Sequence, residues 1–325
     1  MSSSSMEVDV WAGKWDLPSV DQQCLQVMAY AKFSGAPIKV NVTNNPFWSP
    51  SGSLPVLRSG KEKMTSFQSI VTHLESKKYS ADSKLTPIQK SECFALNKLL
   101  EGKLHPAILY TWWVDEANYI ELTRPWYATV LPFPYNYYYP GRYERDAKKY
   151  IETMFVDDED MSIIETHLLS DAEKCLTSLS VRLGEENFFF GKSPTSLDAI
   201  VYSYIAPLVK VPFQQCPLQN HLKACPNLMA FVARITRGYF PLVSDATKNV
   251  NLEKAIEVER RNKRIRTALS FGFAVAAMTG FALYNNIYQE ARLGRRFATK
   301  LERMKDRWRG RPLALDFFEH GFEEE

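Results

Sequence analysis

The chain has 325 residues, 45% of them hydrophobic and 13% aromatic, which supports a real core and excludes wholesale disorder. Its length suits one large domain or two compact ones with an appendage. A net charge of +3 is too small to imply a nucleic-acid partner, and the basic residues concentrate after about Lys254.

Residues 1–6 read as a disordered N-terminus. The opening MSSSSMEVDVWAG has neither a basic nor an apolar leader region, so neither a cleavable secretory signal nor an Arg-rich presequence is expected. Val8 and Val10 alternate with polar neighbours and predict a strand, followed by a loop over 11–18. Ser19 then precedes a helical pattern carrying Val20, Cys24, Val27, Met28 and Ala31 on one face. Gly35 and Pro37 end it, and Ile38, Val40 and Val42 alternate as a second strand. In SGSLPVLRSGKEKMTSFQSIVTHL, Val56 and Leu57 form a short strand after Pro55, Gly60 turns, and Phe67, Ile70, Val71 and Leu74 line a helix. Strand, helix and strand in so short a span predict a thioredoxin-like domain over 7–80.

After Thr86-Pro87 the period is helical, predicting an all-helical domain over 86–240. Helices are expected at about 91–110, at about 142–155, through Ile164, Leu168, Ala172, Cys175 or Leu176, Leu179 and Leu183 to Gly184, and over 226–239. Thr195 and Asp198 form a capping box that opens a further apolar helix, which Pro207 is expected to kink. PFPYNYYYPGR (132–142) is too rich in proline for a helix and is expected to be a packed aromatic loop. Residues 241–266 read as a linker and basic flank, and 290–325 as a basic tail with an acidic end. Between them, 267–289 carries no charge; as a helix it would be about 35 Å long, against a hydrocarbon core of about 30 Å. A transmembrane helix is therefore expected at 267–289. Arg260, Arg261, Lys263, Arg264 and Arg266 flank it on one side, and Arg292, Arg295 and Arg296 on the other. The strongly apolar part, 268–284, is shorter, so lying flat on a membrane surface is the rival for the second half. RMKDRWRGR reads as a juxtamembrane patch attracted to anionic lipid, not as a nucleic-acid site.

The chemistry is sparse. The five cysteines, Cys24, Cys93, Cys175, Cys216 and Cys225, have no C-x-x-C spacing and read as reduced thiols of the cytosolic side. The five histidines show no metal-ligand spacing, so no metal and no cofactor is expected. An α/β unit with an Leu-Pro-Val run followed by helices resembles the glutathione transferase superfamily. The resemblance implies a thiol-activating Tyr, Ser or Cys after the first strand, a cis-Pro at Pro55, and an acid-serine pair opening the next helix. It also implies that Thr195 and Asp198 serve folding. Ser66 and Phe67 stand where the acid and the serine belong, and neither can hold a γ-glutamyl group. Ser19 sits where a helix dipole would favour a thiolate, yet an N-cap role suffices for it. Ser19, Ser66 and Phe67 thus read as a degenerate glutathione site. Trp112, Trp113 and the tyrosines at 135–139 are either core or contact residues.

WAGKWDLPSVD, AYAKFSGAPIKV, SPSGSLPVL, PFPYNYYYPGR and RLGEENFFFGKSPTSLDA, in this order, resemble the metaxin family, in its membrane-anchored branch. What this implies is an α+β chain with a thioredoxin-like N-terminal domain, an all-α transferase-like C-terminal domain and a C-terminal transmembrane helix. It further implies a non-catalytic subunit of the sorting and assembly machinery, single-pass in the mitochondrial outer membrane with its body in the cytosol. The implied partners are a second metaxin paralogue, the barrel-forming subunit, outer-membrane lipids and the cristae-organising complex. The alternative is a membrane-anchored glutathione-dependent transferase.

Overall fold

Buried and half-buried residues alternate along β1 (Met6–Val10), so Val8 and Val10 enter the core while Glu7 and Asp9 face outward. The structure, a computed structural model, describes residues 6–155, 160–241 and 246–309. Met6 already belongs to β1, which shortens the expected N-terminal tail; 1–5 and 310–325, with the acidic end, lie outside the described residues. The chain divides into two compact units, 1–260 and 261–325.

In the first unit, β2 (Ile38–Val42) pairs parallel with β1, while β3 (Val56–Ser59) and β4 (Glu62–Met64) continue the sheet antiparallel in the order β2-β1-β3-β4. The parallel pair needs a crossover, which α1 (Gln22–Phe33) supplies. α2 (Phe67–Ser76) follows β4 and turns Ile70, Val71 and Leu74 into the core. The outward sheet face carries an ion network: Arg58 reaches Asp9 at 2.6 Å and Glu7 at 3.6 Å, and Lys39 reaches Glu7 at 3.4 Å. Leu54–Pro55 and Phe133–Pro134 are cis.

From α3 (Pro87–Leu99) the path stays largely helical through α4 (His105–Leu109), α5 (Glu116–Asn118) and α6 (Arg124–Val130). Wider i→i+5 turns at Leu100–Leu104 and Tyr119–Thr123 each precede a proline, Pro106 and Pro125, whose missing N–H breaks the ordinary ladder. Then come α7 (Tyr135–Met154), α8 (Met161–Leu183), α9 (Ser196–Lys210), α10 (Pro217–Lys223) and α11 (Pro226–Tyr239). α9 is buried along nearly its whole length, and α1, α3, α10 and α11 all pack on it. Gln22 Nε2 donates to Ser203 Oγ at 3.3 Å, and Phe33 meets Tyr239 edge-on at 4.8 Å, tying the sheet side to the helices.

Four expectations are corrected. α1 is capped by Asp21, whose carboxylate accepts from Cys24 N at 2.9 Å, and not by Ser19, which stands two residues earlier and whose hydroxyl reaches only Asp21 N at 3.3 Å. Residues 135–142 are helix, not loop, because Tyr135, Tyr139 and Tyr143 pack edge-on or tilted along one face at four-residue spacing and outweigh Pro140. α3 starts at Pro87, where Thr86 and Gln89 form a capping box. Finally, the expected span at 267–289 lies within one continuous helix, α12 (Ala246–Arg309), and among the described residues no helix is long and apolar enough to cross a membrane. The strongly apolar run 268–284 is about 26 Å long as a helix, short of a hydrocarbon core, and it contains Ser270, Gly272, Thr279 and Gly280. Ser270 and Thr279 turn their hydroxyls onto Arg266 O at 2.5 Å and Val275 O at 2.8 Å.

The start of α9 depends on a buried carboxylate. Asp198 accepts from Phe189 N at 2.9 Å and from Thr195 N and Oγ1 at 2.7 Å each. Burial lifts its pKa to about 6, while these donors pull it down. Asp198→Ala should therefore cost roughly 2–4 kcal/mol in urea unfolding, since three buried donors lose their acceptor. With a folded-state pKa above the unfolded one, the native state binds more protons between about pH 4 and about pH 6. Wild type should then lose stability relative to Asp198→Asn as pH rises through that window, by at most about 3 kcal/mol. A difference that is flat across that window would contradict the raised pKa.

Candidate functional site

The end of β1, the head of α1, the Leu54–Pro55 bond and the head of α2 are the places at which a transferase of this fold would receive a thiol substrate. The first is filled by aromatic rings. Trp11, leaving β1, is buried with its ring 6.3 Å from Trp126 and 5.2 Å from Tyr127. Trp15 lies 6.3 Å from Trp112 and 6.5 Å from Trp126, and Trp112 meets Phe213 edge-on at 4.9 Å. Trp113 packs on Tyr127 at 5.0 Å and Tyr143 at 5.4 Å, which extends the cluster to α7. Each such ring buries a large apolar area, and edge-on or tilted pairing adds further attraction.

The connecting loop is closed on itself. Leu17 N donates to Lys14 O at 3.0 Å, Val20 N to Ala12 O at 3.1 Å, and Ala12 N to Asn44 Oδ1 at 2.7 Å. Gly13 is required here, because a Cβ would stand 2.2 Å from Leu17 O. Ser19 is fully buried in this loop, with its Oγ accepting from Asp21 N at 3.3 Å. It faces packing and a local hydrogen bond.

Electrostatics at the head of α1 oppose an anionic nucleophile. Burial, and then the negative charge of Asp21, push the Cys24 thiol well above its ordinary pKa. The Tyr127 and Tyr143 phenols are likewise raised, first by burial and then by Asp21. Burial raises Asp21 itself, against the pull of the N–H groups of Cys24 and Gln23. The positive end of the helix dipole is thus occupied by a carboxylate of the chain. Cys93 and Cys175 are each pushed up to about 12, again mainly by burial.

At the head of α2, Ser66 caps the helix by accepting from Ser69 N at 3.2 Å, and it donates to Ser69 Oγ at 2.9 Å. Phe67 packs edge-on against Tyr30 at 5.7 Å. Both side chains are therefore committed within the fold. Pro55 leads into β3, and Thr195 and Asp198 lie at α9, where they organise its N-terminus. Lys263, Arg264, Arg266, Arg295 and Arg296 are exposed on α12, and Arg260, Arg261 and Arg292 lie on the same helix. Among the described residues no three His, Cys, Asp or Glu side chains converge on a metal position.

A second surface escaped the sequence. In the segment between β2 and β3, Trp48 is 78% exposed, and Phe47 stacks on Tyr135 at 4.9 Å. Tyr137 and Tyr138 are exposed nearby in sequence on α7, whereas Trp112 and Tyr139 are core. Beside Trp48 an open cleft of about 330 Å³ is lined by Asn45, Leu54 and the Asp9–Arg58 pair. The run Pro46-Phe47-Trp48 carries no periodicity; two large aromatics in a proline-led turn were the only available signal.

The family described as outer mitochondrial membrane transport complex protein matches residues 24–144, and the glutathione S-transferase C-terminal domain matches 172–235. Metaxin-1 of Bos taurus is 41% identical over 293 residues, covering 88% of this chain and 92% of the relative. Metaxin-3 of Xenopus laevis is 42% identical over 257 residues, covering 78% and 82%. Among solved structures, the beta-etherase LigF from Sphingobium sp. strain SYK-6 superposes with a TM-score of 0.52 at 13% identity, over 74% of this chain and 99% of that one. That likeness concerns the fold alone.

Because Cys24 is enclosed and its thiolate disfavoured, iodoacetamide at about pH 7.5 should modify it no faster than global unfolding exposes it. Peptide mass spectrometry over a time course reads this directly, and rapid labelling of Cys24 in the native chain would mean that the head of α1 is open.

Proposed function

The chain belongs to the metaxin family, and on that premise we propose that it is a non-catalytic subunit of the sorting and assembly machinery of the mitochondrial outer membrane. In this reading it serves protein import, the insertion of β-barrel proteins and membrane organisation, beside a second metaxin paralogue and the barrel-forming subunit, with the cristae-organising complex as a further partner. The observation that carries the non-catalytic part is the ring cluster of Trp11, Trp15, Trp126 and Tyr127 at the end of β1. A substrate thiol would have to displace these rings, and the nearby thiol and phenols resist ionisation.

Membrane attachment falls to α12. Leu269, Phe271, Phe273, Val275, Met278, Phe281 and Leu283 are exposed along it, on several sides of the helix. Exposed apolar surface of that extent calls for lipid or protein cover, and the flanking cations favour an anionic membrane. The first unit is proposed to face the cytosol.

Assembly of a radiolabelled β-barrel precursor in mitochondria depleted of the chain tests the role. Assembly should fall on depletion and return with wild type, Ser19→Ala or Ser66→Ala, but not with a chain lacking 261–325. Protease treatment of the same intact mitochondria should leave the first unit digestible, and protection of that unit would contradict its cytosolic placement. Micromolar glutathione binding by calorimetry, lost in Ser19→Ala, would overturn the non-catalytic reading and favour a membrane-anchored glutathione-dependent transferase.

A further inference from the structure

Beyond the uncharged stretch, α12 changes character. Phe297, Leu301 and Met304 are 66%, 57% and 57% exposed. At about 100° per residue they fall within about 60° of one another on the helix surface. Lys300 and Arg307 border this stripe on one side and Lys305 on the other, each within about 90° of its centre. Glu302 and Asp306 lie on the far side, about 130° and 170° away. Among the described residues, none of these three cations has a carboxylate within ion-pair distance. Arg295 and Arg303 share that far side, so the back is mixed in charge, while apolar residues at the centre and long cations at the edges match the layered chemistry of a lipid head-group boundary.

We propose that residues 294–307 lie along an anionic bilayer surface, with Phe297, Leu301 and Met304 inserted among the acyl chains and Lys300, Lys305 and Arg307 paired with head-group phosphates. This rests on the membrane attachment proposed above and adds a lipid preference and an orientation to it. A second helix would also cover an apolar stripe, but flanking charge of one sign on both sides repels an identical copy and attracts an anionic surface.

The test uses the full chain carrying an environment-sensitive fluorescent amino acid at position 301 or, separately, at 302. It is mixed with vesicles of phosphatidylcholine alone or with ~30 mol% phosphatidylserine. At 301, emission should shift to the blue with the anionic vesicles and not with the neutral ones, and at 302 it should stay aqueous in both. Salt at about 1 M should reverse the shift, as should Lys300→Glu combined with Lys305→Glu. Flotation of the same samples separates the two readings. A chain that floats with neither vesicle loses both the attachment and this proposal. A chain that floats while position 301 stays aqueous loses this proposal alone. A blue shift at 301 without vesicles would mean that the stripe pairs with protein, and it would overturn the lipid assignment.

Discussion

One buried carboxylate sets the frame of the first unit. Asp198 gathers Phe189 N, Thr195 N and Thr195 Oγ1, and so fixes both the turn before α9 and the direction in which α9 enters the core. Because α1, α3, α10 and α11 all lean on α9, a change in its entry would be felt on the sheet side and among the helices together. Asp82 ties the intervening segment to the same point by accepting from Ser196 N at 2.8 Å. A polar group in so apolar a place is tolerable only because every partner it needs is supplied locally.

The same frame accounts for the aromatic filling at the head of α1. The sheet, α1 and the helical bundle need each other's apolar faces whatever sits at the head of α1. Aromatic rings there add burial area, whereas a substrate crevice would withhold it. Asp21 illustrates the constraint. A carboxylate at a helix start stabilises the helix by meeting its dipole, but it also raises the neighbouring thiol and so works against a nucleophile. Stability and catalysis ask for opposite charges at this position, and the chain carries the one that serves stability.

Much of this was legible in the residues. The alternation at Val8 and Val10, at Ile38, Val40 and Val42, and the apolar spacing of α2 and α8 follow from strong local patterns. The Thr195–Asp198 box was readable because capping chemistry is local. What failed was non-local or competed with another rule. Pro140 spoke for a loop, and only the edge-on and tilted ring packing along α7 overruled it. α10 and β4 are too short to show a period. Ser19 and Asp21 are both good caps, and the choice between them depends on geometry that no spacing reveals. At the candidate site, the reading of Ser66 and Phe67 rested on a family resemblance, and the filling by Trp126 and Tyr127 joins positions over a hundred residues from Trp11.

The unbroken course of α12 through 267–309 gears its parts together. A helix that runs on without a proline or a loop, Gly294 included, transmits azimuth as well as length, so the side on which Phe297, Leu301 and Met304 emerge is locked to the side presented by Phe271 or Val275. One residue inserted between the two stretches would turn the stripe by about 100° and advance it by about 1.5 Å, and seven would restore it nearly to phase. Spacing between these stretches is thus under a periodic constraint, one that tolerates changes of composition more readily than changes of length.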